Sequence, residues 1–106
     1  MTYPVWLSED AVEERKQLTD SQERKLIWWK EKLEKDVTAG DNIRKSKIPD
    51  SLKDKYGIGN LSRIEFPEGW RGLYTIASEP GKETTVTIMR ILSHKEYDEL
   101  FGYSTS

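Results

Sequence analysis

Anion-binding and proton-transferring side chains gather in two short stretches of this 106-residue chain. The first is Glu68-Gly69-Trp70-Arg71-Gly72-Leu73-Tyr74-Thr75-Ile76. The second is Ile91-Leu92-Ser93-His94-Lys95-Glu96-Tyr97, closing on Phe101-Gly102-Tyr103. Arg71 brings a guanidinium that is always charged and offers a planar fork of donors. His94, the chain's one histidine, brings an imidazole that can trade protons near neutral pH. Each residue also has a plain structural reading. Arg71 can pair with Glu65 or Glu68, and His94 can be an exposed first-turn residue behind a Ser93 cap. Trp70 and Tyr74 alternate on one strand face as core residues do, while Tyr97 and Tyr103 can clamp the last helix onto the sheet.

Other chemistries leave no trace. There is no Gly-rich phosphate loop of Walker or Rossmann spacing and no nucleophile elbow. A Ser–His–acid triad would have to use His94, and nothing local supports one. The absence of Cys rules out disulfides and thiolate metal ligands, and it fits a reducing compartment. With a single His and no carboxylate–His spacing, neither a metal site nor a cofactor is expected.

The net charge is −2, but its distribution is uneven. Between residues 43 and 63 stand Arg44, Lys45, Lys47, Lys53, Lys55 and Arg63 against Asp50 and Asp54, a local excess of +4. A basic patch on an acidic body can contact phosphates; its plain reading is a solvated loop. No apolar run is long enough to span a bilayer and no segment has the pattern of a signal peptide, so a cytoplasmic protein is expected.

One domain over residues 1–106 must position these groups. Tyr3 to Leu7 reads as a first strand, with Pro4 at its start or on an edge. Ser8 caps a helix from Glu9 to about Leu18, whose apolar face is thin: Ala11, Val12 and Leu18. Thr19 and Gln22 form a capping box opening a long helix to about Thr38. Its stripe is Leu26, Trp29, Leu33 and Val37, flanked by Ile27 and Trp28, with Gly40 expected as a left-handed cap. Residues 41–60 read as an irregular basic loop with one helical turn from Pro49 to Lys55. Leu61–Phe66, Trp70–Ala77 and Thr84–Leu92 read as a three-stranded meander. Ser93 and Glu96 form a second capping box, opening a short helix that Gly102 ends. The expected fold class is α+β: an N-terminal strand and two-helix hairpin packed on a mostly antiparallel twisted sheet, with a short C-terminal helix. Both long helices on one face would leave the other face open.

This element order, with the motifs between Gly69 and Tyr103, resembles the RelE/ParE superfamily of toxins from type II toxin–antitoxin systems. Such toxins carry a "G-aromatic-R-x-x-Y" strand and a later strand ending in "H-[RK]" with an aromatic nearby. The resemblance implies a metal-independent endoribonuclease that cuts mRNA, generally on the ribosome. The 2′-hydroxyl attacks the adjacent phosphate, a base takes its proton, cations stabilise the phosphorane and an acid protonates the leaving oxygen. It assigns catalytic roles to Arg71, His94 and Tyr103. RNA contacts fall to Arg44, Lys45, Lys47, Lys53, Lys55, Arg63, Lys95 and Tyr97. Implied partners are a cognate antitoxin, mRNA and the ribosome, with the chain monomeric or in a toxin–antitoxin hetero-oligomer. Ribonuclease members often carry two lysines on the strand before the turn. Counting back from Arg71 places them at Ser62 and Ile64, with Arg63 expected on the opposite face. Two other readings stand beside this one: a ParE-like gyrase inhibitor, and a non-enzymatic toxin fold used for protein binding.

Overall fold

A computed structural model describes residues 2–102. The described chain runs β1 (Val5–Leu7), α1 (Glu9–Arg15), α2 (Asp20–Lys35), β2 (Asp41–Ile43), α3 (Asp50–Tyr56), β3 (Leu61–Glu65), β4 (Arg71–Ala77), β5 (Thr85–Leu92) and α4 (His94–Phe101). Short 3-10 turns at Lys45–Lys47 and Pro67–Gly69 complete it. The fold is α+β, with one sheet in the order β1-β5-β4-β3-β2. β1 runs parallel to β5 on one edge, Val5 opposite Val86, and every other pairing is antiparallel. Pro4 stands just before the edge strand, and its carbonyl accepts from Val86 N at 2.9 Å.

Local chemistry sets the helix starts. The Ser8 hydroxyl accepts from Ala11 N at 3.1 Å and donates to Met89 O at 2.6 Å, so one group caps α1 and ties it to β5. Both capping boxes form: Thr19 with Gln22, and Ser93 with Glu96. The helices end earlier than the periodicity suggests. α1 stops at Arg15, and Val12 is exposed rather than core. α2 stops at Lys35 because Asp36 turns extended and its carboxylate accepts from Thr38 N and Oγ1 at 3.0 and 2.6 Å.

Gly40 is not the left-handed cap expected of it. Left-handed glycines occur at 57, 69, 81 and 102. At Gly40 the requirement is closeness: a Cβ there would stand 2.7 Å from Tyr74 Cε1 and 2.8 Å from the Arg63 carbonyl. The chain is drawn in by the wholly buried Tyr74, whose Oη donates to Val37 O at 2.8 Å and accepts from Gly40 N at 3.0 Å. Burial pushes this phenol's pKa up. Tyr74→Phe keeps the ring and strands both backbone groups. It should cost about 1–3 kcal/mol in denaturant unfolding, and a loss within error of zero would show the bridge carries no net stability.

The sheet is covered on both faces, which overturns the expectation of an open one. On one face Ala11, Leu26 and Leu33 of the helices pack over Val5, Ile64, Phe66, Tyr74, Val86, Ile88 and Ile91. On the other, Leu61, Leu73, Met89 and Leu92 lie against Ile48, Leu52 and Tyr97, with Ile43, Tyr56, Leu100 and Phe101 partly buried around them. The strands are apolar on both sides, so the segment expected to be loop must fold over the second face. Ion pairs lock that arrangement. Arg90 donates two hydrogen bonds to Glu14 at 2.9 and 2.7 Å, and Asp10 accepts from Tyr56 and, at 2.6 Å, from Lys55. Among the described residues no helix is long and apolar enough to cross a membrane.

Candidate functional site

The β3–β4 turn decides which side chains meet. Phe66 N donates to Trp70 O at 2.9 Å, and between them Glu68 and Gly69 take φ of 67° and 77°. Left-handed backbone at two successive residues reverses the chain tightly. Glu65 therefore pairs with Arg71, Ile64 with Gly72 and Arg63 with Leu73. Residues directly opposite one another share a face. Arg63 and Glu65 thus lie on the same face as Arg71, while Ser62 and Ile64 turn to the side covered by α1 and α2. The expected placement of Arg63 opposite Arg71 is corrected: counting back along the sequence is one residue out across this turn.

Two side chains of α2 hold the turn. Trp29 Nε1 donates to Glu65 O at 2.8 Å, and buried Gln22 donates through Nε2 to Pro67 O at 3.0 Å. With the backbone pinned, Arg71 Nη1 donates to Gly69 O at 2.7 Å.

Both arginines converge on Tyr97 of α4. Arg63 Nη1 donates to Tyr97 Oη at 3.4 Å, and the Arg71 guanidinium carbon lies 5.6 Å from the ring centroid. Asp41 and Glu65 flank the pair: Arg63 Nη2 is 3.3 Å from Asp41 Oδ2, and Arg71 Nε is 3.9 Å from Glu65 Oε1. The hydrogen bonds to Tyr97 and Asp41 hold Arg63 more firmly protonated than an ordinary guanidinium, against the effect of burial. The Nε atoms of both arginines are buried without a hydrogen-bond partner.

His94 is the first residue of α4, close to the same turn. Its side chain is 63% exposed, and Nε2 lies 3.1 Å from Oδ2 of Asp98, one turn on. The ring passes beside Gly69, where a Cβ would stand 4.0 Å from Nδ1. Glycine is needed there for its left-handed φ.

A groove of about 240 Å³ continues from Arg63 between β2 and α4. Arg44 and Lys47 line one wall and Tyr97 and Phe101 the other, the two rings 4.5 Å apart. Lys45, Lys53 and Lys55 do not line it; Lys53 pairs with Asp50 at 3.7 Å and Lys55 with Asp10. Lys95 is exposed on the first turn of α4. Tyr103 lies outside the described residues.

Sequence reasoning missed Asp41 and Asp98; Glu65 was named there as a partner for Arg71, and it stands 3.9 Å from it. The i, i+4 spacing of His94 and Asp98 was the one available signal. What the arrangement can do is hold a singly or doubly charged oxyanion between two guanidiniums, with an imidazole close by and a basic, aromatic groove leading away. Comparison with family models, curated proteins and solved structures finds no match to this chain.

Proposed function

We propose that the chain is a RelE-like toxin that cleaves RNA by 2′-hydroxyl transesterification, on the ribosome, and is neutralised in its cell by an antitoxin. One observation carries this reading: Arg63 and Arg71, from neighbouring strands, converge on Tyr97 within one turn of His94. A phosphodiester in that position would meet two fixed cations, as a crowded phosphorane requires. The pair also answers the missing strand lysines, because Arg63 occupies the face on which they would be needed. Arg44 and Lys47 would carry the adjoining phosphates along the groove, with Tyr97 and Phe101 beside the bases.

The test is to add purified protein to translating ribosomes and map mRNA 5′ ends. New ends that appear with the parent and not with an Arg71→Ala variant support the reading. Growth arrest without new ends, together with inhibited gyrase supercoiling, would replace it with the ParE-like one. Neither arrest nor cleavage would leave a binding module.

Salt dependence tests the groove separately. Reversing Arg44 and Lys47 to Glu together should lower the steepness of log affinity against log salt by about two phosphate contacts, with the unfolding midpoint unchanged. An unchanged slope would return these two residues to the solvated surface.

A further inference from the structure

We infer that the outward face of α2 is a second RNA-binding surface, which holds an RNA segment other than the strand being cut. That there are two RNA segments rests on the ribonuclease reading above; the surface itself rests on the charge and the exposed indole of the helix.

Arg24, Lys25, Trp28, Lys32 and Lys35 fall within about 100° of the helix circumference. All but Lys25 are exposed, Trp28 by 48%. Glu31 stands at the edge of this sector and joins Trp28, Lys32 and Lys35 in a groove of about 270 Å³, so four cations share one carboxylate. Among the described residues the cations without an ion pair lie mainly in two places. One is the stretch around Arg44 and Lys47 of the groove already described, and the other is this face of α2. On a chain of net charge −2 such a cluster is a local positive field that attracts an anionic partner. The indole decides which anion. Lys25 Nζ lies 4.0 Å from the Trp28 ring centroid, and Trp29 meets the ring edge-on with centroids 4.9 Å apart. Trp28 is therefore held in one orientation with about half of it open. A nucleobase of any kind can stack on such a ring, and its phosphates can meet cations spread over about 15 Å of helix from Lys25 to Lys35. An acidic peptide would use the cations and leave the ring idle.

Leu26 and Leu33 of α2 pack on one face of the sheet, while the groove of Arg44 and Lys47 opens on the other, beside Tyr97. The sheet separates the two surfaces, so two RNA segments can bind at once. The ribosome of the proposed function offers both, a messenger strand and structural RNA. α2 would then fix the domain on the particle while the groove takes the strand to be cut.

Binding to a 2′-O-methylated single-stranded RNA, which cannot be cut, tests the surface directly, and programmed ribosomes test its use. With the groove disabled by Arg44→Glu and Lys47→Glu, the chain should still bind this RNA. In that background Trp28→Ala should weaken binding about 10-fold, and Trp28→Phe, which keeps a ring, should recover most of the loss. Lys25→Glu, Lys32→Glu and Lys35→Glu together should lower the slope of log affinity against log salt by about two. The unfolding midpoint of each variant checks that its fold survives. On programmed ribosomes Trp28→Ala, made in the parent, should also bind about 10-fold more weakly. No RNA binding once the groove is disabled, or binding indifferent to Trp28 and the lysines, overturns the inference. So does displacement of the RNA by polyglutamate as readily as by unlabelled RNA, which would make the face a site for acidic protein. A chain that binds RNA through α2 yet cuts none would end the ribonuclease reading alone. One that cuts RNA, with α2 variants binding as the parent does, would end this inference alone.

Discussion

Replacing Arg71 with Ala is expected to cut RNA cleavage by about 100- to 1,000-fold and to abolish growth arrest, with the domain still folded. The size of the effect follows from the site's geometry. The side chain is 20% exposed, its Nε has no hydrogen-bond partner, and it reaches the Gly69 carbonyl through Nη1 and a Glu65 carboxylate at 3.9 Å. Glu65 is 61% exposed, so losing the guanidinium leaves no buried charge behind and folding should suffer little. A phosphorane would instead lose one of the two cations beside it. The measurement pairs single-turnover cleavage with an unfolding curve. A variant as toxic as its parent would end the ribonuclease reading. Arg63→Ala should act in the same direction, but it also releases Tyr97 and Asp41, so its kinetics are harder to separate from local rearrangement.

Leu33→Ala should have the largest effect on stability, about 2–5 kcal/mol in equilibrium denaturation. Leu33 is wholly buried beneath α2 among Val5, Tyr74 and Val86 of the first cluster. Removing its side chain opens a cavity in that cluster. For a domain with about 5–15 kcal/mol in total, that is a large share. A loss under about 1 kcal/mol would mean that the stripe of α2 is not the core. Trp29 lies on the same stripe but is only partly buried, and its indole donates to the Glu65 carbonyl. Trp29→Ala therefore combines lost burial with a loosened β3–β4 turn, and should lower cleavage as well as stability.

Where a local interaction decides the outcome, it can be read in the sequence. Both capping boxes, the start of each capped helix, the meander and the Gly102 terminus fall where residue chemistry puts them. Outcomes decided by contacts distant in sequence cannot be read this way. Asp41-Asn42-Ile43 carries no strand pattern and becomes β2 only because β3 offers a free edge. The coverage of the second face depends on Ile48 and Leu52 meeting Leu61 and Leu73. At the site, Arg71, His94 and Tyr97 stood out by type and spacing. Arg63 was assigned to the wrong side because Glu68, a residue with no special liking for a left-handed backbone, takes that conformation here. Asp98 was passed over among acidic residues although its i, i+4 spacing from His94 sets it beside the imidazole on α4.

The parallel pairing of β1 with β5 has a kinetic consequence. Val5 and Val86 lie side by side although 81 positions separate them, so closing that contact means ordering nearly the whole chain. The hairpins of β3, β4 and β5 can form early from neighbouring sequence, while the edge strand must wait for a finished partner. A growing polypeptide would then hold Arg63 and Arg71 in place before β5 and α4 arrive to bring His94 and Tyr97. Time-resolved hydrogen exchange should find the amides of β3 and β4 protected first and those of β1 last.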